Sequence, residues 1–201
     1  MRKFYSLAGA VLLLGCMDAP ANTTAPKLPG ATVLGGVSAD RRDEGGFNTI
    51  ETNLTGDQEL PTVRVTGAHG TGNVRLSKDG QSVDFQLVVN DIKNITQAHI
   101  HMGPPTGTGG IVVWLFPSVK STTALPGGGG EHHGLLAQGT FTAADLRGAL
   151  AGKPLSDFIA AVVAGNTYMN VHTDDGVSPA NTGPGDFPGG EVRGQLDKNG
   201  H

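Results

Sequence analysis

The sequence predicts a mainly β fold: an antiparallel, Greek-key-like β-sandwich or barrel with one or two short helices between its late strands. Three observations predict this fold class. Apolar and polar residues alternate with a period of two in short segments between Thr49 and Leu196. Turn-forming residues separate these segments. The 201 residues also include 32 Gly and 12 Pro, which disfavour the interior of regular helices.

The strand pattern is clearest in seven segments. They are residues 74–78, 83–89, 97–101, 111–116, 136–141, 167–172 and 191–196. The sequence Lys-Asp-Gly-Gln at residues 78–81 is typical of a hairpin turn between the first two. A Gly- and Pro-rich loop follows Met102 and leads into the strand at 111–116. Short antiparallel strands at this spacing are typical of sandwiches and barrels.

One region between the late strands departs from this pattern. Thr142 and Asp145 have the spacing of a capping box, in which each side chain accepts a hydrogen bond from the other residue's backbone N–H. Apolar residues then recur at helical spacing between residues 154 and 164, and Gly165 stands where a C-cap belongs. Two short helices are therefore expected here, packed on one end of the sheets.

The N-terminus has the pattern of an export signal. Two basic residues are followed by a short apolar stretch and by Gly15-Cys16, and the stretch is too short to span a bilayer. The sequence Leu-Leu-Gly-Cys at residues 13–16 resembles the lipobox of bacterial lipoproteins. That resemblance implies a signal peptide over residues 1–15 and a lipid on Cys16. The alternative is a plain signal peptide with an incidental Cys; the absence of any second Cys favours the lipid, because an exported Cys16 has no disulfide partner in its own chain.

Residues 16–47 are expected to form a flexible tether. They are rich in Ala, Pro, Thr and Gly and show no sustained apolar period, so they cannot bury enough surface to offset chain entropy. Residues 197–201 are expected to form a disordered tail. The protein is therefore expected to be exported and held by its lipid to a bacterial membrane, on the periplasmic face of the outer membrane or at the cell surface.

Composition and missing motifs exclude several classes of function. A net charge of −4 without a basic stripe argues against nucleic-acid binding. The chain has no nucleophile elbow, no phosphate-binding loop and no His-Glu-x-x-His motif. These features favour a protein that is not an enzyme, and they identify no protein partner.

Histidines are the residues best suited to carry chemistry. His99 and His101 project from the same face of a predicted strand, because residues i and i+2 share a face. Two neutral imidazoles on one face are the start of a copper or zinc site. The alternative is a pair of hydrogen-bonded structural histidines, and spacing alone favours that alternative.

Further histidines are candidates for the same site. His172 lies on a late strand with Asn170 on the same face, and it would supply a third imidazole if the two strands are neighbours. His132 and His133 follow a run of Gly residues and are expected in a flexible loop, from which at most one would reach the metal.

Charged residues after His172 have simpler explanations. Glu191, Arg193 and Gln195 share a strand face, where a charged ladder that holds sheet register is favoured over catalysis. Asp174, Asp175 and the later Asp186 are the acidic residues of a long loop, but their spacing does not match a calcium-binding EF-hand.

Several motifs, in order along the chain, resemble the CHRD domain, a module named after chordin. They are Leu-Thr-Gly-Asp-Gln-Glu-Leu-Pro at residues 54–61, Ala-His-Ile-His-Met-Gly at 98–103, Gly-Thr-Phe-Thr at 139–142, Tyr-Met-Asn-Val-His-Thr at 168–173, and Pro-Gly-Gly-Glu-Val-Arg-Gly-Gln-Leu at 188–196. Thr62 stands where the family often has a second Pro, and the stretch from Asp174 to Asp186 is longer than usual. The resemblance implies an extracytoplasmic β-rich domain over residues 48–196.

The His-x-His strand and the late Val-His strand are also similar to those of Cu/Zn superoxide dismutase, a Greek-key barrel. The chain lacks that enzyme's disulfide and an evident second zinc cluster. The leading hypothesis is a lipid-anchored, non-catalytic binding module that holds copper, with zinc as second choice, through His99, His101 and His172. The alternatives are a purely structural or protein-interaction module without metal, and a dismutase-like copper oxidoreductase.

Overall fold

The computed structural model describes residues 48–117 and 130–198. The expected signal peptide (1–15), the tether (16–47) with Cys16, and residues 199–201 of the expected tail lie outside the described residues. The first residue assigned to that tail, Asp197, is described and buried. Among the described residues, no helix is long and apolar enough to cross a membrane.

The described residues form eight strands and one α-helix. In chain order these are β1 (Thr49–Thr55), β2 (His69–Leu76), β3 (Val83–Lys93), β4 (Ile95–Met102), β5 (Ile111–Phe116), β6 (Glu131–Phe141), α1 (Leu155–Val163), β7 (Thr167–Thr173) and β8 (Val192–Leu196). All eight strands belong to one sheet, in the order β5-β4-β7-β8-β1-β2-β3-β6. Every neighbouring pair is antiparallel.

The sheet curls into a nearly closed barrel. Its edge strands, β5 and β6, approach each other and line a cavity of about 510 Å³. The chain crosses between the two sides of the barrel from β3 to β4 and again from β6 to β7, which gives the Greek-key connections. The predicted mainly β, antiparallel fold is confirmed, and of the two predicted forms the structure has the barrel.

A single residue connects β3 to β4, the first crossing between the two sides of the barrel. Asn94 alone separates β3 from β4, yet β3 pairs with β2 and β6 whereas β4 pairs with β5 and β7. Its backbone has a φ of +54°, a left-handed conformation that Asn tolerates better than most residues. Asn94 also donates a side-chain hydrogen bond to the carbonyl of Gly185, which anchors the turn to the loop before β8.

The barrel interior is filled by apolar side chains from alternate residues along the strands. Along β1, Ile50 and Leu54 are buried while Glu51 is exposed, as a period of two requires. Burial of such a side chain contributes about 1.5–3 kcal/mol. Met169 of β7 crosses the interior to Gly72 of β2, where a Cβ atom would lie 2.4 Å from the Met169 sulfur.

The helical region is confirmed in part. Thr142 and Asp145 do form the capping box, but it opens a 3-10 turn over residues 143–145 rather than an α-helix. A second 3-10 turn follows at Gly148, whose positive φ of 54° interrupts regular helix formation. One α-helix, α1, therefore replaces the two that the pattern predicts, and Gly165 follows it with a φ of +67°.

The expectation that Glu131, His132 and His133 lie in a flexible loop is wrong. They open β6, where His132 pairs with Ile92 of β3. The strand was missed because Gly and polar residues dominate its start, and only pairing with a distant strand stabilises them as a strand. The preceding residues 127–129, expected in the same loop, lie outside the described residues.

Loops cover the outer face of the sheet on one side of the barrel. Every residue of β7 and β8 is buried, so both faces of these strands are covered. Three loops contribute: Thr66 donates to Glu191, Gln195 donates to the carbonyl of Gly103, and His172 donates to the carbonyl of Pro188. Polar residues on this outer face therefore lie in a dry environment.

Candidate metal centre

Three histidines converge on the covered outer face. His99 and His101 lie on β4, and His172 lies on the neighbouring strand β7, where it pairs with Gln97, two residues before His99. Each offers one ring nitrogen, and these nitrogens all lie within 4.8 Å of one another. The ring centroids are 5.4 Å apart for His99 and His101, 5.0 Å for His99 and His172, and 6.0 Å for His101 and His172.

Backbone carbonyls determine which nitrogen carries the proton in two of the rings. The Nδ1–H group of His101 donates to the carbonyl of Gly109 at 2.9 Å, and that of His172 donates to the carbonyl of Pro188 at 2.8 Å. Each neutral ring therefore keeps a lone pair on Nε2. Ligating histidines almost always donate their other N–H in this way.

The third ring, His99, lies deepest. It is 1% exposed, against 8% for His101 and 7% for His172. Its Nδ1 lies 3.3 Å from Nε2 of His172. Its own Nε2, like Nε2 of His101, is buried without a hydrogen-bond partner among the described residues. Such unpaired buried nitrogens are costly unless something binds them.

Burial keeps all three rings neutral. Desolvation, with the neighbouring imidazoles adding to it, lowers the pKa of His99 to about 2. Desolvation also lowers the pKa of His172 to about 4, against the opposing effect of the Pro188 hydrogen bond. The pKa of His101 is lowered by the same cause. Neutral imidazole is the form that binds a metal ion.

Aromatic residues hold the rings in place. Trp114 of β5 meets His99 edge-on at 4.2 Å, and Tyr168 of β7 stacks on His101 at 4.9 Å. The guanidinium of Arg193 covers the ring of Tyr168 at 3.6 Å, within the range of a cation–π contact. The pairing of β4 with β5 shifts register on both sides of the His99–Ile100 step, an irregularity often found beside functional sites.

The charged residues of β8 and its approach do not pair with each other. Arg193 donates to the carbonyl of Pro104 and to Gln195, while Glu191 accepts hydrogen bonds from Thr66 and Thr173. These contacts tie loops to the sheet, which is a structural role of the kind that the sequence favours.

Glu59 is a residue of this region that sequence reasoning missed. The residue is 2% exposed, and its Oε1 has no hydrogen-bond partner among the described residues. Desolvation raises its pKa to about 7, although Arg193, Arg64 and a hydrogen bond from Asn170 oppose the rise. Gly190 makes room for it, since a Cβ there would lie 2.4 Å from Oε1. The available signal was its position in the 54–61 motif.

The other candidate histidines lie elsewhere. His133 joins Asp91 and Glu131 in a separate, exposed group on β3 and β6. Its Nδ1 lies 3.6 Å from Asp91, and its Nε2 lies 3.7 Å from Glu131. His132 lies on the same edge strand, where it pairs with Ile92 of β3. Among the described residues, the ring nitrogens within 4.8 Å of one another at the central site are those of His99, His101 and His172, and neither His132 nor His133 joins them.

The profile of the CHRD domain family matches residues 50–196, which is more than half of the 201-residue chain. The matched range contains all eight strands except the first residue of β1, and it contains all three central histidines. A comparison with curated proteins gives no match, and neither does a comparison with solved structures. By its sequence, the chain belongs to the CHRD domain family.

Proposed function

We propose that this CHRD domain is a non-catalytic module that holds a copper-like metal ion through His99, His101 and His172. The observation that carries the proposal is the convergence of three buried, neutral imidazoles whose ring nitrogens lie within 4.8 Å of one another. Two of these rings also donate their Nδ1–H groups to backbone carbonyls, as ligating histidines do.

The donor set favours copper, with zinc second. Imidazole nitrogen suits both ions, and affinity for divalent ions generally rises to Cu²⁺ and falls again at Zn²⁺. The covering loops leave the three rings at most 8% exposed, which suits retention of an ion better than exchange of substrate and product.

Export and lipid anchoring belong to the same proposal. The signal pattern of residues 1–15 and the lipobox-like sequence ending at Cys16 support them. A lipid on Cys16 and a tether over residues 16–47 would keep the domain near a membrane surface while leaving it free to move. Mass spectrometry of the mature N-terminus tests this part: an acylated Cys16 supports it, and an unmodified thiol contradicts it.

Metal analysis tests the binding site. The full chain carrying Cys16→Ser, which removes the thiol as a competing ligand, is stripped with chelator and loaded with Cu²⁺ or Zn²⁺. We expect a stoichiometric ion that is lost in His99→Ala/His101→Ala. The matched control His132→Ala/His133→Ala removes two histidines at the edge of the sheet and is expected to keep the ion.

A second variant separates lost binding from lost folding. His101→Phe removes the ligand nitrogen but keeps a ring to stack on Tyr168, so its thermal unfolding is expected to stay cooperative while metal content falls. Failure of the parent protein to retain either ion contradicts the proposal. That result would favour a structural or protein-interaction module, in which the histidines orient loops.

A further inference from the structure

Asn170 lies at the centre of a row of side chains that crosses the covered face. In register it is paired with His99 on one side and with Arg193 on the other. It is 3% exposed, so its amide must find partners among the neighbouring side chains.

The amide oxygen of Asn170 faces Nε2 of His172, and both atoms are hydrogen-bond acceptors. Oδ1 lies 3.1 Å from Nε2 of His172. Because Nδ1–H of His172 donates to the carbonyl of Pro188, Nε2 of the neutral ring is an acceptor, and two acceptors at this distance repel each other. A cation between them turns this repulsion into attraction.

The neighbouring Glu59 fits an amide whose oxygen faces the histidines. Asn170 lowers the pKa of the buried Glu59 carboxyl group, as an amide that turns its NH₂ group toward the carboxylate would. A donating amide uses its NH₂ group, which leaves Oδ1 pointing toward the rings.

From this geometry we infer that Asn170 Oδ1 is a further ligand of the ion held by His99, His101 and His172. The inference rests on the proposed function, since it assigns one more donor to the same site. It changes the site from three nitrogens to three nitrogens and one oxygen.

The oxygen ligand has a consequence for metal choice. Amide and carboxylate oxygens suit harder, divalent ions, whereas Cu⁺ prefers soft sulfur donors and gains least from a carbonyl oxygen. Removal of the oxygen should therefore weaken Zn²⁺ and Cu²⁺ binding more than Cu⁺ binding. A purely structural Asn170 would not discriminate among the ions.

Competition titrations of the full chain carrying Cys16→Ser with Cu²⁺, Zn²⁺ and Cu⁺ test the inference. We expect Asn170→Ala to weaken Cu²⁺ and Zn²⁺ binding by about 10–100-fold, the range found when groups that support a metal site are removed. Glu59→Gln is expected near the lower end of that range. Asn73→Ala, which removes an amide from β2 on the other side of the sheet, is the matched control and is expected to bind like the parent.

A charge-swapped variant sharpens the test. Glu59→Gln/Asn170→Asp moves the carboxylate from the loop onto β7 and keeps the total charge. The new amide at position 59 can donate a hydrogen bond to the new carboxylate at position 170. We expect this variant to bind Zn²⁺ at least as tightly as the parent. Asn170→Leu, which fills the same volume, replaces Asn170→Ala if the smaller side chain prevents folding.

Two different results would separate the two claims. If the parent retains no ion, the proposed function fails and the inference fails with it. If the parent retains an ion but Asn170→Ala and Asn170→Leu bind Zn²⁺ equally well and leave the Cu²⁺ EPR spectrum unchanged, the inference is overturned while the histidine site stands.

Discussion

The two sides of the barrel differ in how far their outward-facing side chains are buried. On β1 burial alternates, so that Ile50 and Leu54 face the core while Glu51 faces solvent. On β7 all seven residues from Thr167 to Thr173 are buried. The strands have similar geometry, so the difference comes from the loops that cover β7 and β8. On this covered outer face the barrel can bury polar side chains without placing them in its apolar core.

Among the described residues, the covered side also contains buried polar atoms without a hydrogen-bond partner. They include Nε2 of His99 and of His101, Oε1 of Glu59 and Nη1 of Arg193. Each such atom costs about 1–3 kcal/mol if nothing satisfies it. On the uncovered side, Arg75 and Asp84 form an ion pair of 2.7 Å in which both side chains are exposed. The covered side therefore buries its polar groups, whereas the uncovered side leaves this ion pair in contact with solvent.

Substitutions of outward-facing residues should lower the free energy of unfolding by different amounts on the two sides of the barrel. Tyr168→Ala on β7 removes a ring packed between His101 and Arg193, and we expect the free energy of unfolding to fall by about 3–5 kcal/mol. Arg75→Ala on β2 is expected to cost about 0.2–1 kcal/mol. Urea unfolding of both variants measures the difference, and equal losses would mean that the loops do not bury the outer face of β7 in solution.

Metal binding should stabilise the covered side. At a free Zn²⁺ concentration of about 100 Kd, linkage predicts a gain of about 2.7 kcal/mol in the free energy of unfolding. Differential scanning calorimetry with and without Zn²⁺ checks this, with His99→Ala/His101→Ala as the control that shows no gain. An equal gain in that control would place the ion elsewhere.

Acid should destabilise the metal-free protein through the buried histidines. Burial lowers the pKa of His172 from 6.5 to about 4, so the unfolded state binds more protons and stability falls as pH drops through this window. The expected loss by pH 4 is on the order of 2 kcal/mol. His172→Gln should flatten this part of the profile in urea titrations. An unchanged slope in the variant would show that His172 is not the titrating group.

Glu59 should change the stability in the opposite direction. Its pKa is raised from 4.5 to about 7, so its contribution to stability is fully present below pH 4.5 and is lost as pH rises through 7. Metal-free Glu59→Gln is therefore expected to be more stable than the parent at pH 8, by on the order of 1 kcal/mol. Parallel pH profiles for parent and variant would contradict a raised pKa.

Sequence reasoning succeeded where structure is local. The alternation of residues 83–89 and 167–172 lies within β3 and β7, and the capping box of Thr142 is present. It failed at the start of β6, because pairing with β3 rather than the Gly-rich composition makes Glu131 and its neighbours a strand. It also overlooked Glu59, since a single acidic residue shows no sign of burial in the sequence.

The candidate site also has one part that follows from local sequence and one part that depends on contacts between distant residues. That His99 and His101 share a strand face follows from a period of two, which any strand imposes on its own residues. That His172 lies beside them depends on β4 pairing with β7 rather than with β3, its neighbour in sequence.

The sequence by itself therefore determined the class of fold, the same-face histidines and the family. Only the tertiary structure decided that three rings meet, that loops remove them from water, and that Asn170 faces them. Periodicity depends on neighbouring residues, whereas convergence and burial depend on contacts between residues far apart in the chain.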